Sequence, residues 1–247
     1  MVVSPRALST WGLKLTHDIA DSSHIPRILR FSFAPLAVGC LVAYFLFLIT
    51  AVAARATEAP LIYSILRNGV ELGLHEVQFQ RDGDNLTVTM HGQAVYRIGT
   101  LVFYKFETRR SETWTDEKLV AFQVWTNDDG KVSDVVGVRE GDEFRVTGPS
   151  GVAMVPGDAV PESFWNVAAV KAHRIIDNKT GRPIPVTVSG GSVETIEACG
   201  GEMKAVRYRV DKVPKDPHDL WYDENGRWVR METTARDMSK VEFVLRQ

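Results

Sequence analysis

The sequence predicts an all-β protein: a single antiparallel, strongly curved sheet or open barrel, with one short helix near its mouth and an N-terminal hydrophobic export helix ahead of it. Three observations predict it. Beyond residue 57 the chain breaks into short β-branched and aromatic segments about ten residues apart, bounded by Gly, Asn, Asp and Pro. Tight turns separate them, and tight turns join antiparallel neighbours, whereas parallel pairs need long crossovers. Only one stretch, Pro161–Ala172, carries helical spacing. A sheet of about a dozen strands curls as its twist accumulates. Strict closure, which removes exposed edges, is the alternative.

Residues 31–53, FSFAPLAVGCLVAYFLFLITAVA, hold no charge between Arg30 and Arg55. A run of that length can span a bilayer as a helix. Arg27 and Arg30 precede it, so residues 1–30 are expected to stay cytoplasmic and the chain beyond to cross. Residues 31–56 therefore read as a signal peptide or a signal anchor. Ala51-Val52-Ala53 and Ala54-Arg55-Ala56 both have the small-x-small form of a signal-peptidase site. The length of the run, and of the leader before it, fits an uncleaved anchor or a start codon assigned too far upstream. Ala37-Val38-Gly39-Cys40 has the outline of a lipobox, but Ala stands where Leu is expected and the chain stays apolar to Ala53. Cys40 reads as an apolar residue of the segment.

The elements of residues 57–247 follow in order. Leu61–Arg67 is a strand, and Asn68-Gly69 after it is a type I′ hairpin signal, because both central residues need positive φ. Leu72–Arg81 places Gly73, His75, Val77 and Phe79 on one face. After Asp82-Gly83-Asp84, Leu86, Val88 and Met90 alternate with Thr87, Thr89 and His91. Ala94–Arg109 holds two strands broken near Gly99. Val120, Phe122 and Val124 alternate with Ala121, Gln123 and Trp125, and Asn127–Gly130 turns the chain. Lys131–Arg139, Glu143–Thr147 and Gly151–Val155 are three short strands. In the helix, Phe164, Trp165, Ala168, Ala169 and Ala172 share a face. Strands resume at Ile184–Val188, Val193–Cys199, Lys204–Lys212, Leu220–Asp223, Arg227–Thr234 and Lys240–Arg246, with Ser189-Gly190-Gly191-Ser192 and Glu224-Asn225-Gly226 as turns.

The chain has 247 residues, 45% hydrophobic and 24% charged, with a net charge of -2. That balance excludes a disordered, collagenous or disulfide-dense chain and shows no basic excess for nucleic acid. The leader takes five of the 29 basic and two of the 31 acidic residues, which leaves 24 against 29 in the 191 residues beyond it. Cys199 is the one cysteine there, so no internal disulfide is possible and stability must rest on a core.

Catalytic and metal motifs are missing. No His-x-x-x-His, Cys-x-x-Cys or Gly-x-Ser-x-Gly occurs in residues 57–247, and Asn127-Asp128-Asp129-Gly130 departs from a calcium loop at its first ligand. No cofactor or metal is expected. His75 has two readings, a general base facing a cavity or a histidine within a core. Cys199 reads as an inert thiol. Trp114, Trp125, Trp165, Trp221 and Trp228 can fill a core or line an apolar pocket, and Trp165 is the one best placed for a pocket. The candidate ligand-binding set is His75, Phe79, Trp125, Trp165, Trp221 and Tyr222.

Three clusters carry a resemblance. They are Tyr63-Ser64-Ile65-Leu66-Arg67-Asn68-Gly69 with Gly73 and His75, then Ser163-Phe164-Trp165-Asn166, then Leu220-Trp221-Tyr222-Asp223 with Gly226 and Val241–Arg246. In their order and spacing the chain resembles an uncharacterised family of exported bacterial proteins, the domain of unknown function numbered 6134, over roughly Leu61 to Arg246. The resemblance implies a β-rich protein of the bacterial cell envelope, periplasmic or secreted, or anchored in the inner membrane if the leader stays. It brings no established activity or catalytic residue. The architecture is also similar to lipoprotein carriers, whose curved sheets hold acyl chains under a helix.

Three functions follow as expectations. The first is a non-enzymatic module that binds an apolar or amphipathic small molecule or lipid in the concavity. The second is a protein-interaction or scaffolding domain working through an exposed edge strand or loops. The third is a hydrolase or isomerase using His75 with a carboxylate. No nucleic-acid partner is expected, and membrane contact is expected only through an uncleaved N-terminal helix.

Overall fold

A computed structural model of the chain describes residues 56–246, apart from 213–215 and 236. The leader and the apolar segment 31–53 lie outside the described residues.

Eight hairpin-linked strands form the first half of the sheet. β1 (Ala56–Thr57) lies against the end of β3, with Ala56 opposite Arg81. β2 (Leu61–Arg67) turns into β3 (Val70–Asp82) at Asn68-Gly69, whose φ angles of 49° and 81° suit a type I′ turn. β4 (Asn85–Ile98), β5 (Leu101–Thr115), β6 (Lys118–Asp128), β7 (Lys131–Glu140), β8 (Glu143–Gly148) and β9 (Gly151–Pro156) follow, each joined to the one before by two residues. The turn between β5 and β6 uses Asp116 and Glu117 at positive φ, with no glycine to announce it.

The second half comprises β10 (Val160–Pro161), a 3₁₀ turn at Val167–Lys171, β11 (Arg174–Ile176), β12 (Pro183–Ala198), β13 (Gly201–Lys212), β14 (Asp216–Tyr222), β15 (Trp228–Thr234) and β16 (Lys240–Leu245). All pairings are antiparallel except β10 with β11. The order across the sheet is β10 through β16, then β2 through β9. The last strand therefore pairs with β2, Phe243 opposite Ile65 and Leu245 opposite Tyr63. The fold is all-β, one large open sheet; β9 and β10 are its two ends, so the strict-closure alternative does not hold.

Alternation assigns the two faces. Tyr63, Val77, Val88, Trp114, Phe122, Val124, Val135, Phe144, Val146 and Val155 point inward into one core with Leu220, Tyr222, Val229 and Leu245. Residues 157–182 include the two short end strands β10 and β11, and pack onto the inner face of the sheet through Ala159, Phe164, Ala169 and Ile176.

Two local expectations are corrected. The helix over Pro161–Ala172 is only the 3₁₀ turn, opened by Asn166, whose side chain accepts from the Ala168 amide. Phe164 sits at φ 58°, which a right-handed helix excludes, and Pro161 is held in β10. Apolar spacing there serves inward packing rather than a helix face. The turn expected at Ser189–Ser192 is a bulge inside the 16-residue β12, with Gly190 and Gly191 at φ 113° and 98°.

Candidate functional site

The inner face of the sheet is covered by the chain itself. Trp165 stands edge-on to Phe79 and Trp114, both at 5.5 Å between centroids. Its indole N–H donates to Glu112 Oε2 at 2.8 Å, as does that of Trp114 at 3.0 Å. Glu112 Oε1 is buried with no hydrogen-bond partner. Burial pushes the Glu112 carboxyl up, against the pull of its hydrogen bonds and of Arg110.

Arg110 shares that inner face and donates to the Glu162 carbonyl and to Thr108 Oγ1. Asn178 Nδ2 donates to the same carbonyl at 2.7 Å. The Glu162 carboxylate receives Lys212 Nζ at 2.6 Å and contacts His218 Nε2 at 3.3 Å. Burial alone would raise its pKa, but the His218 hydrogen bond and the Lys212 charge bring it down to about 2. Tyr222 donates its hydroxyl to the Phe164 carbonyl at 2.8 Å. These contacts brace the inward segment against the sheet. They are spent within the protein, whereas a general acid or base must reach a substrate.

His75 is only 4% exposed. Its ring centroid lies 5.6 Å from Phe243, 5.9 Å from Tyr63 and 6.0 Å from Trp228. Its Nδ1 is buried without a partner, and burial lowers its pKa to about 3. A neutral imidazole boxed by aromatic rings, hydrogen-bonded to no carboxylate, lacks what the third expectation needs.

The six candidate residues do not converge. His75, Phe79, Trp165 and Tyr222 point inward, His75 in its own box and Tyr222 beside Tyr208 at 6.1 Å. Trp125 faces outward under the Arg109 guanidinium at 5.1 Å. Trp221 also faces outward, between Arg207 at 5.6 Å and Arg230 at 5.7 Å, its indole donating to Glu194 Oε2. Trp221 and Tyr222 are successive strand residues, so the pleat sends them to opposite faces. Cys199 is a half-buried free thiol packed against the core, at the turn after β12.

The outer surface holds a second candidate. β9 ends the sheet, and its six residues carry no charge. Val152 and Met154 face outward and are exposed. In register across β8 lie Val136, through Thr147, and Val138, through Arg145, both exposed on β7. Exposed apolar side chains thus stand on the edge strand β9 and again on β7, separated by Thr147 and Arg145 of β8. The edge is bracketed by bonds from the Ser150 amide to Thr180 O and from the Gly157 amide to Asp142 O. Both end strands finish in proline, Pro156 in β9 and Pro161 in β10, but β10 has only two residues, a blunter edge. An open groove of about 460 Å³ is lined by Asp128, Asp129, Lys131, Val132, Ser133, Pro149 and Lys179. A smaller one of about 230 Å³ lies over Glu76, Gln78, Thr89, Met90, His91, Arg109 and Arg110. The uncharged run Gly151–Pro156 was visible in the sequence; its position at an edge was not.

Comparison with known proteins agrees with the fold. A solved structure described as a beta-barrel-like protein of domain of unknown function DUF1849, from Brucella abortus, is similar over 79% of this chain and 97% of its own, at 11% identity and a TM-score of 0.57. At that identity the likeness shows the fold alone. No curated protein matches the chain. The sequence model of the family described as Domain of unknown function (DUF6134) matches residues 63–246, the span from the first core strand to the end of the last. The chain belongs to the DUF6134 family.

Proposed function

We propose that the domain is a protein-interaction module of the bacterial cell envelope that takes an extended segment of a partner along β9. One observation carries the reading: an edge strand of six uncharged residues, with proline only at its last position, whose outward Val152 and Met154 are exposed, with exposed Val136 and Val138 two strands in, beyond Thr147 and Arg145. Soluble proteins ordinarily protect such an edge with charge, proline or a covering element. A partner strand gains backbone hydrogen bonds from the edge and side-chain contact from Val152 and Met154. The envelope assignment rests on the apolar run 31–53 and the basic residues before it. The inner face of the sheet, covered by residues 157–182, offers less support for a bound small molecule, and the boxed His75 offers little for catalysis.

The test is photocrosslinking in the bacterial envelope from a benzoylphenylalanine placed at Val152 or at Met154, with the crosslinked peptide identified by mass spectrometry. The expected result is one partner peptide, touched two residues apart from the two positions, and lost in Met154→Lys. No crosslink, or scattered crosslinks equal to those from exposed Val193, sinks the reading.

A further inference from the structure

The β4–β5 hairpin outruns its neighbours. Pairing of β3 with β4 ends at Gly73–Ala94, and pairing of β5 with β6 ends at Phe106–Asp128. Beyond those points Val95–Lys105, Tyr96–Tyr104, Arg97–Val102 and Ile98–Leu101 continue as a two-stranded ladder, with the Asp129 amide still donating to Lys105 O at 2.8 Å at its base. The result is a two-stranded arm that projects by about four residues, or ~13 Å. Its base is fixed. Tyr104 donates to Asp128 Oδ1 at 2.6 Å, and the Arg67 guanidinium lies over the Tyr96 ring at 5.1 Å.

The tip of this arm is apolar and in water. Ile98 is 56% exposed, Leu101 65%, Val102 54% and Phe103 54%. Ile98 and Leu101 are one cross-strand pair, and Val102 belongs to the next. Successive pairs point to opposite faces of a ribbon, so each face of the tip carries exposed apolar side chains, Ile98 and Leu101 on one and Val102, opposite Arg97, on the other. A protein surface laid against a ribbon covers one face. The interface of a bilayer surrounds both faces and the turn.

Charge points the same way. From Tyr96 to Phe106 the only charged residues are Arg97 and Lys105, and both are basic. Arg97 stands opposite Val102 and Lys105 lies behind the tip, both within reach of headgroup phosphates. Asp128 and Asp129 sit farther back at the base, Asp128 paired with Lys179 at 2.5 Å and Asp129 Oδ1 facing the Lys105 amide at 3.4 Å.

We propose that this arm docks the protein on an anionic lipid bilayer by inserting Ile98–Phe103 into the interface, with Arg97 and Lys105 at the phosphates. The site is separate from β9. It is also a membrane contact beyond the N-terminal segment. Insertion stays shallow, because the outward N–H and C=O groups of a two-stranded ribbon need water or headgroups.

The test uses the full chain in a Cys40→Ser, Cys199→Ser background, with an environment-sensitive NBD label on Leu101→Cys or, as the control, on Glu117→Cys. The second position lies in the turn at the other end of β5. Vesicles of phosphatidylcholine with phosphatidylglycerol should blue-shift the label at 101 and leave that at 117 unchanged. Pure phosphatidylcholine should do less. Adding Arg97→Glu and Lys105→Glu should weaken the response at 101 at least about tenfold. No shift at 101 overturns the proposal, and so does an equal shift at both positions, which would report the leader alone. A shift at 101 with envelope protein but not with lipid also overturns it and assigns the tip to a protein partner. None of these outcomes bears on crosslinking from β9.

Discussion

Trp165 donates its indole N–H to Glu112 at 2.8 Å, so the segment on the inner face is latched to the sheet through a buried acid. Glu112 lies in β5 and Trp165 follows 53 residues later. The second acceptor oxygen, Oε1, has no partner. A buried carboxyl so placed is easier to keep protonated than charged.

Glu112→Gln should therefore change the pH dependence of stability. The folded-state pKa of Glu112 is raised, so its contribution is fully present below the unfolded value of about 4.3 and is lost as pH rises through the folded one. The stability of Glu112→Gln relative to the parent should climb over that window and then level. Glu112→Ala, which removes the acceptor for both indoles, should lose about 2 kcal/mol or more at every pH. Urea unfolding at a series of pH values checks both, and a flat difference for Glu112→Gln would contradict the reading.

His75 works in the opposite sense. Its folded pKa is about 3, below the 6.5 of a free imidazole, because burial disfavours the charge. Stability from this group is present above about 6.5 and is lost as pH falls toward 3, at up to ~1.4 kcal/mol per unit. His75→Phe, which fits the box of Tyr63, Trp228 and Phe243, should remove that slope and gain on the parent at pH values near 5. Denaturant midpoints across the acid range measure it; an unchanged slope would mean that the imidazole is solvated.

Gly137 is opposite Phe122 across β6 and β7, and the ring lies over it. A Cβ at Gly137 would stand 2.0 Å from Phe122 Cε1. Gly137→Ala should cost about 2 kcal/mol or more through overpacking. Combining it with Phe122→Leu should cost less than the two changes summed. Additive losses in thermal unfolding would show that the ring is not the obstacle.

The hairpins were legible where the chemistry is local. Asn68-Gly69 and Asp129-Gly130 carry the positive φ that their turns need, and Leu86, Val88 and Met90 alternate as a half-buried strand must. Asp116-Glu117 turned without any such mark. The apolar spacing of Phe164–Ala172 was real, but helical spacing and inward packing read alike in sequence. Gly190-Gly191 punctuates a strand in the same letters that would end one. Trp125 and Trp221 looked like pocket walls because a tryptophan carries the same apolar area on either face. Their cover is supplied by Arg109, Arg207 and Arg230 from neighbouring strands, a pairing that only the register reveals. Which strand ends the sheet is likewise a property of topology, not of the segment Gly151–Pro156.

The adjacency of β2 and β16 has a consequence for the order of assembly. A chain made N-terminus first finishes β2 at Arg67 long before its second neighbour begins at Lys240, since Tyr63 meets Leu245. Until then one side of β2 has no partner strand, and the two halves of the sheet cannot join. Such distant pairing makes folding slow and leaves intermediates with open edges. Loss of the final strand would part the sheet at its middle rather than trim its rim, so a truncated product should be a target for proteolysis rather than a smaller version of the domain.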